Sequence, residues 1–126
     1  MLDRVLEYCQ RLPGAQMRFP FGPTTLVYSV EQRIFALVGL DHVPPWLNLK
    51  CEPSRAQELR EQYAAIQPGY HMNKRHWNTL VLDGSLPQVL VNDLIVHSYR
   101  LVIAQLPRRN RHQYEAALSR VLAKGQ

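Results

Sequence analysis

The sequence predicts a two-layer α+β domain, an antiparallel sheet covered by helices. Three observations carry that expectation. Segments with apolar residues at helical spacing and segments with strand alternation follow each other as α-β(3)-α-β(2)-α, with a further helix at the C-terminus. The first two strand segments are separated only by Glu31-Gln32-Arg33, which reads as an antiparallel hairpin. The chain has 126 residues, one domain's worth, enough to bury roughly two-thirds of its unfolded surface without a disulfide or metal staple.

The elements follow in order. Leu2, Val5, Leu6, Cys9 and Leu12 fall on one helical face, and Pro13-Gly14 stops that helix. "FPFGP" (19–23) is a stiff turn between apolar anchors. In "TTLVYSV", Leu26, Tyr28 and Val30 share a strand face. In "RIFALVGL", Ile34, Ala36, Val38 and Leu40 share one face and Phe35 and Leu37 the other. The prolines of "DHVPP" interrupt the pattern, and "WLNLK" alternates again as a third strand. "EPSRAQELREQYAAI" reads as a helix with Pro53 in its first turn and Leu59, Tyr63 and Ile66 as its apolar edge. A fourth strand is expected around Tyr70 to Met72, and "NTLVL" is the fifth, closed by the Asp83-Gly84 turn. Ser85 and Gln88 form a capping box, with Pro87 in the first turn of a helix running to about Leu106. Its inward face carries Val91, Leu94, Ile95, Leu101, Val102 and the small Ser98, which permits close approach to the sheet. Pro107 breaks it, and a last helix begins near Asn110, with Tyr114, Ala117, Leu118, Val121 and Leu122 on one face.

Composition narrows the function classes. A hydrophobic fraction of 46% and a charged fraction of 20% are ordinary for a globular chain. Two cysteines, Cys9 and Cys51, do not make a disulfide framework, and buried reduced thiols are expected. The N-terminus lacks the apolar run of a signal peptide, and 86–106 is interrupted by too many polar residues to span a membrane. A cytoplasmic protein is expected. The net charge of +5 is unevenly placed. Residues 1–63 hold seven Lys/Arg against seven Asp/Glu, whereas 64–126 hold eight against three. The excess concentrates at Lys74 and Arg75 and at Arg108, Arg109 and Arg111. Clustered positive charge suits an anionic partner, nucleic acid first, with a merely solvated surface as the plain alternative.

The search for chemistry turns on "PGYHMNKRHW" (68–77). His71 and His76 are five residues apart, and His42 and Cys51 lie elsewhere, which is not metal-ligand spacing. No metal and no cofactor are expected. Cys9 sits on an apolar helix face, and Cys51, although beside Lys50, has no histidine or acid tied to it. No G-x-S-x-G, Walker A or G-x-G-x-x-G motif occurs, and Asp83 and Asp93 are accounted for by a turn and a solvated helix face. An enzyme is therefore not expected. What remains is a basic loop with aromatic faces. Lys74, Arg75 and His76 face phosphates, and Arg108, Arg109 and Arg111 sit at a helix start that also favours anions. Tyr70, His71, Asn73 and Trp77 are assigned the shaping of the loop, with Trp77 as a core anchor and His71 and Asn73 bonding its backbone.

"PFGPTTLVY", "IFAL", "LNLKCEP", "PGYHMNKRHWNTLVLDGSLP" and "SYRLV", in that order and spacing, resemble the MmcQ/YjbR family of small bacterial proteins. The likeness runs from about Phe19 to Pro107, and its most specific part is the block leading into His76-Trp77. By position, Lys50, Tyr70, His71, Asn73, Lys74, His76, Trp77, Asp83, Ser98 and Tyr99 match the family's motif. The resemblance implies a frataxin-like or secretion-chaperone-like topology and a "double wing" DNA-binding function. It also implies a single YjbR-like domain over 1–126, with a core at 1–107 and a basic C-terminal helix at 108–126. The chain departs from relatives in its first hairpin, where Glu31-Gln32-Arg33 stands in place of a frequent Gly-Lys. The expected activity is non-enzymatic DNA binding through the phosphate backbone, as a monomer or weak dimer. The competing expectation is a protein-interaction or small-ligand module that uses the sheet face or a groove.

Overall fold

The computed structural model describes residues 1–125. The first amphipathic segment forms α1 (Leu2–Arg11), which buries Val5, Tyr8 and Cys9. Leu12 leaves the helix in extended conformation, and Gly14 then turns the chain at φ 72°. Six strands follow: β1 (Gln16–Arg18), β2 (Thr25–Val30), β3 (Arg33–Gly39), β4 (Trp46–Lys50), β5 (Ile66–Pro68) and β6 (Trp77–Val81). Helix α2 (Pro53–Gln62) lies between β4 and β5, and α3 (Gln88–Ile103) and α4 (Arg108–Gly125) close the chain. The strands make one sheet in the order β1-β2-β3-β4-β6-β5, every neighbouring pair antiparallel. The mixed α+β fold with an antiparallel sheet and a C-terminal helix is the architecture the sequence predicts.

Three local expectations need correction. The fourth strand is not at Tyr70 to Met72. It is β5 at Ile66–Pro68, because α2 stops at Gln62 and Ile66 pairs with Leu80 of β6 instead of extending the helix edge. The capping box at α3 does not form. Ser85 gives both its N–H and its hydroxyl to the Asp83 carboxylate (2.9 and 2.6 Å), while the Gln88 amide donates to Asn92. Strict alternation along β3 also fails. The register pairs Ala36 with Tyr28 but Ile34 with Ser29, so Phe35 is the extra residue of a bulge. Phe35, Ala36 and Val38 therefore all enter the core, and Ile34 moves to the opposite face with Leu37. Strand β1 is an additional element, fully exposed and without an apolar pattern.

The core lies between one sheet face and the helices. Leu26, Tyr28 and Val30 from β2, Leu47 and Leu49 from β4, and Leu80 from β6 meet Val91, Leu94, Ile95, Tyr99 and Val102 of α3. Helix α3 crosses β3 and β4 directly. Ser98, fully buried, does more than leave room. Its Oγ accepts from Lys50 N–H (2.9 Å) and donates to the Phe35 carbonyl (2.6 Å). Lys50 would face Phe35 in the β3–β4 register, next to the Ala36–Leu49 pair. The bulge opens that position, and the helix hydroxyl is inserted into the ladder, satisfying two buried backbone groups at once. Helix α4 packs on α3, with Leu118 fully buried.

Candidate functional site

The loop between β5 and β6 is shaped by its backbone before any side chain reaches out. Gly69 N–H donates to the Trp77 carbonyl at 2.9 Å. A Cβ on Gly69 would stand 2.8 Å from Trp77 Cβ and 2.9 Å from that carbonyl oxygen, so the close approach admits only glycine. Tyr70 N–H then donates to Thr79 Oγ1 (3.0 Å), which folds the loop back over the sheet face that carries no helices. His71 takes the left-handed backbone at φ 57°. Asn73 closes the turn, its Oδ1 accepting from Arg75 N–H (2.9 Å) and its carbonyl from His76 and Trp77 N–H (3.2 and 2.9 Å). The Asn73 side chain and carbonyl thus hold three backbone N–H groups of the loop. His71 contributes through its backbone and a ring contact, with no hydrogen bond among the described residues. Trp77 is half-buried and lies outside the core cluster, so the expected anchor is instead a backbone partner for Gly69.

Against that loop the open sheet face forms an aromatic cleft of about 470 Å³. His42 stacks on Trp46 with centroids 3.8 Å apart and planes 5° from parallel. Its ring fits because Gly39 has no side chain, a Cβ there standing 2.7 Å from His42 Cδ2. Tyr70 meets Trp46 edge-on at 5.0 Å, and His71 lies 3.9 Å from Tyr70. Phe21 and Met72 line the rim, and Ile34, Leu37 and Asn48 line the strands beneath. Thr79, which accepts from Tyr70, donates its hydroxyl to Asn48 Oδ1. The Asn48 amide nitrogen then carries no hydrogen bond among the described residues.

The predicted cations lie in the β5–β6 loop and at the start of α4. Lys74 Nζ rests on the Gly69 carbonyl at 3.3 Å, one residue from Tyr70, and Arg75 is exposed. His76 is half-buried in a second cavity of about 530 Å³, with Lys50, Cys51, Leu101 and Gln105. Gln105 accepts from Arg33 Nη1 (3.0 Å) and Asn110 donates to the Glu31 carboxylate (3.1 Å), so the first hairpin's tip is docked on the helices. Arg108, Arg109 and Arg111 begin α4, two residues earlier than the sequence pattern indicates. Arg108 and Arg109 are exposed, whereas Arg111 turns back to the Ala104 carbonyl at 3.5 Å. Among the described residues, the ion pairs are Arg55–Asp93 and Arg100–Glu115, His42 Nε2 lies 3.9 Å from Asp41, and none of these contacts involves the predicted cations.

Other titratable groups have structural surroundings. Burial pushes the Cys9 thiol up to about 12, and burial also raises Cys51 despite the opposing charge of Arg55. His97 accepts from Glu52 N–H (3.1 Å) at the start of α2, and its pKa is lowered, first by desolvation and then by Arg55. Among the described residues no three His, Cys, Asp or Glu side chains gather to hold a metal ion, and no helix is long and apolar enough to cross a membrane. Sequence reasoning did not single out Phe21, His42, Trp46, Asn48 or Thr79. One signal was present: Asn48 interrupts an otherwise apolar central strand, and a polar side chain there needs a partner.

The fold and loop define a class of small domain in which one antiparallel sheet is covered by helices on a single face, its other face crossed by a basic loop. The YjbR family model matches residues 10–101, and the chain belongs to that family. It is 34% identical over 110 residues to the uncharacterized protein YjbR of Escherichia coli K12, covering 87% of this chain and 93% of that one. It is 35% identical over 99 residues to the uncharacterized protein YbdF of E. coli O157:H7, covering 79% and 81%. Among solved structures, the crystal structure of Deinococcus radiodurans DR2400, a DUF419 domain, superposes with a TM-score of 0.85 at 36% identity, covering 91% of this chain and 88% of that one. A Pseudomonas syringae protein superposes with a TM-score of 0.70 at 26% identity, covering 79% and 97%.

Proposed function

We propose that this protein is a non-enzymatic, cytoplasmic DNA-binding protein that grips the phosphate backbone through Lys74, Arg75, Arg108 and Arg109. The observation that carries the reading is that these four cations are exposed and unpaired with any carboxylate among the described residues. An exposed, unpaired cation is free to exchange its counterion atmosphere for a phosphate, which makes affinity fall with salt. His76, half-buried beside Lys50, supports the loop and offers a further donor at its base. Arg111 is partly occupied by Ala104 and ranks below its neighbours. The docked hairpin tip argues for contacts through the loop and the start of α4 rather than through a projecting wing.

The test is DNA binding measured against salt. Affinity should fall linearly on logarithmic axes, and each of Lys74→Ala, Arg75→Ala, Arg108→Ala and Arg109→Ala should reduce the slope by roughly one unit. Immeasurable binding at low salt, or binding indifferent to all four changes, refutes the reading.

A further inference from the structure

We propose that the aromatic cleft takes one unpaired nucleotide unit, its planar base against the exposed rings of Phe21 and Tyr70 and its phosphate on Lys74, so that the protein prefers single-stranded to duplex DNA. This rests on the phosphate-binding reading above and adds the form of nucleic acid that is bound.

Four features of the cleft support it. At about 470 Å³ it falls within the range of pockets that enclose small ligands, about 300–1,000 Å³. Its rim presents aromatic rings to water, since Phe21 is 64% and Tyr70 is 49% exposed. Such rings gain by stacking on any base, whatever the sequence. Its wall is preorganised, because the His42–Trp46 stack is seated against Gly39 and braced edge-on by Tyr70. Finally, its lining is selectively polar. Thr79 holds Asn48 Oδ1, leaving the amide N–H groups of Asn48 to donate to a ring nitrogen or carbonyl on a base edge.

The lining itself carries the exposed Asp41 carboxylate, so the phosphate is placed on the loop side of the cleft, at Lys74. Lys74 Nζ sits on the carbonyl of Gly69, adjacent in the chain to Tyr70, so one loop carries both a stacking ring and a cation. That is the pairing of groups within a nucleotide. A duplex cannot use the cleft without unstacking, because its base faces are covered by their neighbours and extrusion costs a few kcal/mol. A single strand offers those faces freely. A free nucleotide shares the same chemistry and is the other possible source of the unit.

The experiment compares a short labelled single strand with the duplex of the same sequence at low salt, and includes a free nucleoside monophosphate as competitor. The single strand should bind more tightly than the duplex. Tyr70→Ala should weaken single-strand binding about ten-fold and leave duplex binding unchanged, Tyr70→Phe should keep both, and Lys74→Ala should weaken both. Competition by the mononucleotide at the same Tyr70-dependent site also supports the cleft. Duplex binding that equals single-strand binding, with neither touched by Tyr70→Ala or Phe21→Ala, overturns the cleft and leaves the phosphate reading standing. Absence of binding in every arm overturns both.

Discussion

Replacing Ser98 with alanine removes one oxygen and orphans two backbone groups. The hydroxyl satisfies Lys50 N–H and the Phe35 carbonyl, at a position with no solvent exposure. Each buried backbone group left unpaired costs about 1–3 kcal/mol. The bulge at Phe35 can relax enough to recover part of this, so the expected loss is about 2–4 kcal/mol. For a chain of this size that corresponds to roughly 8–16 °C in Tm, at about 4 °C per kcal/mol. The assay is urea unfolding followed by far-UV circular dichroism, with Ser98→Thr as control. Threonine keeps the hydroxyl but forces a methyl into a filled site, at about 1–3 kcal/mol. A loss below about 1 kcal/mol for alanine, with an unchanged denaturant slope, would show that the ladder closes without the hydroxyl and refute the argument.

Other substitutions probe the site and its supports. Gly69→Ala should lift the loop off Trp77 and disturb the Tyr70–Trp46 contact, destabilising by about 1–3 kcal/mol and changing tryptophan fluorescence; an unaltered spectrum and stability would contradict the close approach. Tyr99→Phe should cost about 1 kcal/mol, because its hydroxyl donates to the Pro13 carbonyl at 2.8 Å, and equal melting temperatures would count against that bond. His97 gives a pH signature. Its folded pKa is lowered, so on acidification the unfolded chain takes up the proton first. Its stabilising contribution is complete above the ordinary histidine pKa near 6.5 and is lost as pH falls through the depressed folded value. Denaturant midpoints between pH 8 and pH 5 should decline for the native chain and less steeply for His97→Gln, and parallel declines would assign the effect to other groups.

The legible parts of this fold are those with sustained periodicity. Helix α1 and strands β2, β4 and β6 show their buried faces directly in the order of Leu, Val and Tyr. Strands β1 and β5 have three residues each, too few to display a period, and they exist because a neighbour supplies the ladder. The bulge at Phe35 is invisible to alternation, since it is set by how β2, β3 and Ser98 fit together. The basic loop was legible as charge, and Asn73 as a turn residue. The cleft was not, because Phe21, His42, Trp46 and Tyr70 come from separate segments and become one surface only when the loop folds across the sheet.

The three-residue outer strands have a consequence for association. A six-stranded sheet without closure offers two open rims to any stray extended chain. Here one rim ends in Pro68, which has no N–H to give, and the other is a short run carrying the charge of Arg18. A visiting strand would gain few hydrogen bonds at either border. Brevity and a proline, rather than closure, blunt the two rims of this sheet.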